Sequence, residues 1–320
     1  MLVFFIFYFV AFAYPFRHNF VSDRTDESNE GLKGSGPALR LRCGEKMSDN
    51  RVEFGQLSPP SDWPWAISVR SECLNKRSNR TEVLSTCSGV LIGSKHVLTA
   101  AHCLLTTINS YLRCKGNEVA GEFEFPGTTV YVAAKFIKLT IGGKNWNQTS
   151  SLSIKKYTKF DRFMSQHYDN DIAILELTHP VVYDMKINRI CLPSIYTARN
   201  EHLAYFLGYG LTKGALELAG TNRTKSTKLR EDFVQLRVGP PCPVNFLCTN
   251  SQTHPTRHTT PGDSGGPLMR EYRGKWYVIG LVIGKPDVCD HKSCFLRPTS
   301  YCTWINRATR GRVICQRIIY

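Results

Sequence analysis

Beyond its first few residues, the 320-residue chain has no apolar run long enough to cross a bilayer as a helix, so no stable membrane anchor is expected downstream. It also lacks two matching pairs of closely spaced cysteines or histidines, which removes the spacing of a structural zinc site; no metal and no cofactor is expected. Neither a long basic run nor a basic stretch interleaved with aromatics is present, so nothing points to nucleic acid. Acidic residues are scarce: 26 Asp and Glu stand against 41 Lys and Arg, a formal net charge of +15. Such an excess attracts anionic glycans, bacterial or membrane surfaces, or acidic substrates, with plain solubility as the simpler reading. From Tyr14 to about Asn50 no hydrophobic periodicity is sustained, which marks linker rather than packed domain. Tyr14 to Arg51 carries seven basic and six acidic residues, so the positive excess belongs to the rest of the chain.

Residues 2–10, Leu-Val-Phe-Phe-Ile-Phe-Tyr-Phe-Val, precede the small-x-small site Ala11-Phe12-Ala13, the pattern of a secretory signal peptide over 1–13. The segment before the apolar run carries no Lys or Arg, and an uncleaved anchor is the alternative. Twelve cysteines then imply a disulfide framework in an oxidising compartment. Sequons at Asn79, Asn147 and Asn222, each with Thr two residues on, agree with an extracellular, glycosylated product.

The chemistry is carried by three local patterns. Thr260-Pro261-Gly262-Asp263-Ser264-Gly265-Gly266-Pro267-Leu268 places a hydroxyl on a glycine-rich turn. A serine hydroxyl is a weak nucleophile and needs a base and a group to orient that base. His102, in Leu98-Thr99-Ala100-Ala101-His102-Cys103, follows an apolar run broken by the turn-like Gly93-Ser94-Lys95. Asp171, in Asp169-Asn170-Asp171-Ile172-Ala173-Ile174-Leu175, opens a strand-like run. Singly, each pattern has a bland reading as turn, core histidine or loop. Jointly, and in the order His, Asp, Ser, they resemble the trypsin and chymotrypsin family of serine proteases; the nucleophile elbow of α/β-hydrolases runs Ser, Asp, His instead.

The resemblance implies an all-β fold of two packed antiparallel six-stranded barrels with a short C-terminal helix. It implies that Ser264 attacks a peptide carbonyl, His102 moves the proton, Asp171 orients His102, and the N–H groups of Gly262 and Ser264 form the oxyanion hole. Residues 52–320 would be the protease domain and 14–51 a propeptide. Trp63-Pro64-Trp65 stands eleven residues after Val52, the family's spacing from its activation junction. Cleavage after Arg51 would then free an ammonium on Val52 to pair with Asp263. Glu53 and Phe54 depart from the family there, where an apolar residue and a glycine are usual. Implied disulfides join Cys87 to Cys103, Cys43 to Cys191 and Cys242 to Cys248. Connectivity of the rest is not readable from sequence, and Cys73 with Cys114, Cys289 with Cys294 and Cys302 with Cys315 are what elimination leaves. Expected partners are protein or peptide substrates, an activating protease and a protein inhibitor, acting on a monomer.

Specificity departs from the trypsin pattern. His258 holds the position six before the nucleophile where an aspartate would select Lys or Arg. Lys285 and Ser293 replace glycines of the pocket wall. Together His258 and Lys285 fit an acidic side chain before the scissile bond, whereas a shallow neutral pocket with Lys285 in solvent is the competing reading. Thr260 replaces a pocket cysteine, and Ile283 replaces a serine that normally bonds the catalytic aspartate. These departures favour a catalytically weak or silent binding protein as the alternative to an active enzyme, and they resemble the divergent secreted trypsin-like proteins abundant in nematodes. Extra residues between His102 and Asp171, including Gly142-Gly143 and Trp146, are expected to form surface loops. Gly208-Tyr209-Gly210 resembles the family's Gly-Trp-Gly, and apolar spacing from Tyr301 to Ile314 predicts the C-terminal helix.

Overall fold

The computed structural model describes residues 41–46, 63–116, 123–124, 128–141, 150–165, 167–184, 186–210, 228–240, 242–249, 258–284 and 293–318. The expectations for residues 1–13, Arg51, Val52, Asn147, Asn222, Lys285 and Cys289 lie outside these residues.

Alternating and continuous apolar runs close two barrels. The first is built from β1 (Ala66–Leu74), β2 (Thr81–Gly93), β3 (His96–Thr99), β7 (Ile137–Ile141), β8 (Ser150–Lys159) and β9 (Ala173–Leu177), in the order β1-β2-β3-β9-β8-β7. The second is built from β10 (Leu203–Gly208), β11 (Arg230–Arg237), β12 (Phe246–Thr249), β13 (Pro267–Tyr272), β14 (Lys275–Gly284) and β15 (Cys294–Leu296), in the order β10-β11-β12-β15-β14-β13. Both are six-stranded and closed, as the resemblance implies. Closure leaves no strand edge unpaired within each barrel.

Strand β2 shows why the barrels meet where they do. Its first half, Thr81-Glu82-Val83-Leu84, is solvent-facing or half-buried, whereas from Cys87 to Gly93 every residue is buried. A strand buried on both faces reads as an unbroken apolar run, and here the second face looks towards the other barrel. The Ser88 N–H of β2 donates to the Ser264 carbonyl at 2.7 Å, directly across that boundary. Trp65, Ile67, Leu91, Leu139 and Leu175 fill the first barrel without solvent exposure, and Leu268, Ile279 and Phe295 do so in the second.

Part of the segment after His102 is more ordered than surface loops, whereas the stretch with Gly142-Gly143 and Trp146 lies outside the described residues. Strands β4 (Leu105–Thr107), β5 (Phe123–Glu124) and β6 (Thr129–Tyr131) form a small sheet, with helix α1 (Ile108–Leu112) between β4 and β5. Its anchor is the Cys73–Cys114 disulfide, together with buried Tyr111 and Val130. The C-terminal helix α2 spans Cys302–Ala308 and stops short of the apolar pattern. Arg310 and Gly311 both adopt positive φ (55° and 79°), and the Cys302–Cys315 disulfide turns the tail back along the helix. Among the described residues no helix is long and apolar enough to cross a membrane.

Five disulfides are described: Cys43–Cys191, Cys73–Cys114, Cys87–Cys103, Cys242–Cys248 and Cys302–Cys315. Cys294 is disulfide-bonded as well, its partner lying outside the described residues. The Cys43–Cys191 bond closes a sequence separation of 148 residues and constrains the unfolded chain by about 5 kcal/mol on a chain-entropy account. Around it, the Gly44 N–H donates to the Arg189 carbonyl at 2.8 Å and the Trp276 N–H donates to the Gly44 carbonyl at 2.9 Å.

Candidate active site

Antiparallel register brings the first two site residues together. Strand β3 pairs with β9 so that Thr99 lies opposite Ala173. The chain leaving β3 therefore runs beside the chain entering β9, and His102, three residues past Thr99, meets Asp171, two residues before Ala173. His102 sits in the 3-10 turn Ala101–Leu104, tied to β2 by the Cys87–Cys103 disulfide.

Asp171 is wholly buried, and His102 keeps 22% of its side chain exposed. Two hydrogen bonds join them. The His102 backbone N–H donates to Asp171 Oδ1 at 2.8 Å, and His102 Nδ1 lies 2.6 Å from Asp171 Oδ2. The second fixes the proton on Nδ1 and leaves Nε2 as the acceptor nitrogen. Burial pushes the imidazole pKa down, but the Asp171 charge and hydrogen bond outweigh it, and the net shift is upward from 6.5.

Ser264 approaches from the second barrel. Its turn is held by Gly265 N–H to the Val282 carbonyl at 2.7 Å, Gly266 N–H to the Asp263 carbonyl at 2.8 Å and Asp263 N–H to the Thr260 carbonyl at 3.0 Å. His102 Nε2 lies 4.0 Å from Cys103 Sγ, which lies 3.6 Å from the Ser264 carbonyl oxygen. The histidine and the serine turn thus share one wall, the Cys87–Cys103 disulfide. Among the described residues the Ser264 hydroxyl makes no hydrogen bond to His102.

Among the described residues the N–H groups of Asp263, Gly265 and Gly266 are committed to carbonyls. Among the described residues no acceptor takes the N–H of Gly262 or of Ser264, although Gly262 is buried and Ser264 half-buried. Buried N–H groups are rarely left unpaired, so two of them on one turn form a ready site for an oxygen carrying negative charge. Gly262 has φ +108°, and a Cβ there would lie 2.9 Å from Gly210 Cα, so the position excludes a side chain.

Ser88 is a site residue that sequence reasoning missed. Its hydroxyl donates to the Gly262 carbonyl at 2.8 Å and accepts from the Tyr209 N–H at 3.0 Å, so one buried hydroxyl ties the serine turn to both barrels. A polar residue beside a disulfide cysteine, at the start of an apolar run, was the available signal. Ser88→Ala would leave two buried backbone groups unpaired and is expected to lower unfolding free energy by about 1–3 kcal/mol. Urea denaturation against the exposed control Ser78→Ala checks this; equal midpoints for the two variants would show that the hydroxyl holds nothing.

At the expected pocket, Ser293 is fully buried, and its hydroxyl oxygen accepts from the Thr259 N–H at 2.8 Å and lies 3.2 Å from Thr259 Oγ1. Half-buried His258 is the neighbour of Thr259. Asn79 is exposed on the β1–β2 turn, and its Oδ1 accepts from Lys115 Nζ at 2.6 Å. The ligand atoms of Cys87, His102 and Cys103 lie within 4.8 Å of one another, but both sulfurs are committed to a disulfide and offer no thiolate to a metal.

A family model described as Trypsin matches residues 53–305. The CLIP domain-containing serine protease B4 of Anopheles gambiae is 28% identical over 256 residues, an alignment covering 77% of this chain and 66% of that protein. The chain therefore spans slightly less than two thirds of the length of this curated relative.

Proposed function

Because the chain belongs to the trypsin family of serine proteases, we propose that it is a secreted serine endopeptidase that hydrolyses peptide bonds through Ser264, His102 and Asp171. Its protease domain spans 52–320, after a signal peptide over 1–13 and a propeptide over 14–51. The observation that carries this reading is the wholly buried Asp171 holding His102 by two bonds. His102 faces a serine turn whose Gly262 and Ser264 N–H groups await an acceptor.

In this reading the Ser264 hydroxyl attacks the carbonyl carbon while His102 Nε2 takes its proton. The oxyanion forms against the N–H groups of Gly262 and Ser264, and His102 returns the proton to the leaving amine. Water then repeats the cycle on the acyl-enzyme. No carboxylate stands at position 258, so preference is not for Lys or Arg. Five described disulfides, with no free cysteine among the described residues, support an extracellular setting. Exposed Asn79 suits glycan attachment, with Asn147 and Asn222 as the other acceptors. Cleavage after Arg51 by an activating protease would make the enzyme from its zymogen.

A second reading, a catalytically silent extracellular binding protein, draws on the Ser264 hydroxyl making no bond to His102. One experiment separates the two. Purified protein is exposed to a fluorophosphonate probe before and after cleavage by an arginine-directed protease, with the new Val52 terminus read by sequencing. Labelling that appears with cleavage supports the enzyme and its zymogen, whereas folded, cleaved protein that stays unlabelled supports the silent scaffold.

A further inference from the structure

Asp263 is a buried carboxylate immediately before Ser264. A carboxylate offers two oxygens and about four lone-pair directions. Among the described residues three are taken. Oδ1 accepts from the Gly210 N–H at 2.8 Å, and Oδ2 accepts from the Thr260 N–H at 2.7 Å and from the Thr260 hydroxyl at 3.1 Å. Asp263 returns a bond through its own N–H to the Thr260 carbonyl, so residues 260–263 are stitched across the turn three times. On the other side Gly210 closes against the carboxylate so tightly that a Cβ would collide with Asp263. Burial holds the Asp263 carboxyl above its ordinary value; the two N–H bonds, the Thr260 hydroxyl and the charge of Arg230 on β11 offset part of that rise.

Thr260 stands where the family places a pocket cysteine, one of the departures that count from sequence against an active enzyme. The geometry points to the opposite: we infer that the Thr260 hydroxyl is a positioning residue, holding the Asp263 carboxylate and through it the paired N–H groups of Gly262 and Ser264. This rests on the hydrolase reading above. The hydroxyl bond is to a buried carboxylate oxygen, where a hydrogen bond counts more than at the surface. The same residue's N–H bonds the same oxygen. The remaining lone pair lies on Oδ1, beside the Gly210 bond, so a Val52 ammonium and the Thr260 hydroxyl do not compete for one oxygen.

Thr260→Val keeps the shape and removes the donor; Thr260→Ser keeps the donor and removes a methyl. With protein cleaved after Arg51, saturation kinetics of fluorophosphonate labelling separate reversible binding (KI) from the bond-forming step (kinact). Thr260→Val is expected to lower kinact about tenfold with KI unchanged, and Thr260→Ser to stay within about twofold of wild type. If Thr260→Val does not melt cooperatively, Thr260→Ala, which opens space instead of filling it, takes its place. Wild-type kinact in the valine variant, or a serine variant as slow as the valine one, would overturn the positioning role alone. Absence of labelling in cleaved wild-type protein would overturn the hydrolase reading and this inference with it.

Discussion

Ser264→Ala is expected to lower hydrolysis of a peptide thioester by at least about a thousandfold, a magnitude carried over from the family, while the protein melts as wild type does. The two halves of that expectation have separate causes. The turn is held through backbone groups: the Ser264 carbonyl accepts from Ser88, the Gly265 and Gly266 N–H groups bond Val282 and Asp263, and Gly262 is held by the Ser88 hydroxyl. Alanine keeps all of these and deletes only Oγ. What remains is a shaped oxyanion site with no nucleophile, which accelerates attack by water and nothing more. Steady-state kinetics with thermal melting checks both halves. Hydrolysis that persists at the wild-type rate would place the nucleophile elsewhere.

Asp171→Asn is expected to reduce kcat by about three to four orders of magnitude. Both Asp171 oxygens accept from His102, one from the backbone N–H and one at Nδ1. An asparagine has one oxygen and one NH2, so it can accept at only one of the two places. Keeping the backbone bond turns the NH2 towards Nδ1, which then accepts and moves the ring proton to Nε2. In that tautomer the ring cannot take the serine's proton.

The same substitution has a signed effect on pH dependence. In wild type the imidazole pKa is raised, so the neutral base is lost as pH falls through a value above 6.5. Removing the Asp171 charge leaves burial as the main influence, which pushes the imidazole down, so the acid limb of kcat/KM moves to lower pH. Stability runs the other way. A folded-state pKa above the unfolded 6.5 means that protonated His102 stabilises the fold fully below 6.5, and this contribution is lost as pH rises through the folded pKa. An acid limb that stays in place in Asp171→Asn would show that the carboxylate does not set the titration of His102.

Much of this was legible in the sequence because the site is local on both sides. The approach of His102 to Asp171 needs only the β3–β9 register, and both strands are apolar runs with the site residues two or three positions beyond their ends. The glycines about Ser264 announce a turn through which backbone must pass close to other backbone. Ser88 and Thr260 were illegible for the same physical reason: each acts through a short hydroxyl, and sequence spacing carries no direction for a side chain. Ser88 reaches Gly262 across 174 positions. Thr260 was noticed as a missing cysteine, yet only coordinates show its hydroxyl on Asp263. The small sheet β4–β6 was hidden because its strands are two or three residues long, too short for a period to register.

The Cys43–Cys191 tether gives a cut chain an unusual property. Arg51 lies eight positions after Cys43, a leash of at most about 30 Å when fully extended. Scission of the Arg51–Val52 bond would therefore be a change of state without a change of company: the two pieces would run as one species under oxidising conditions and part only when reduced. Whatever the leading piece recognises, its address would travel with the cutting machinery after the switch has been thrown.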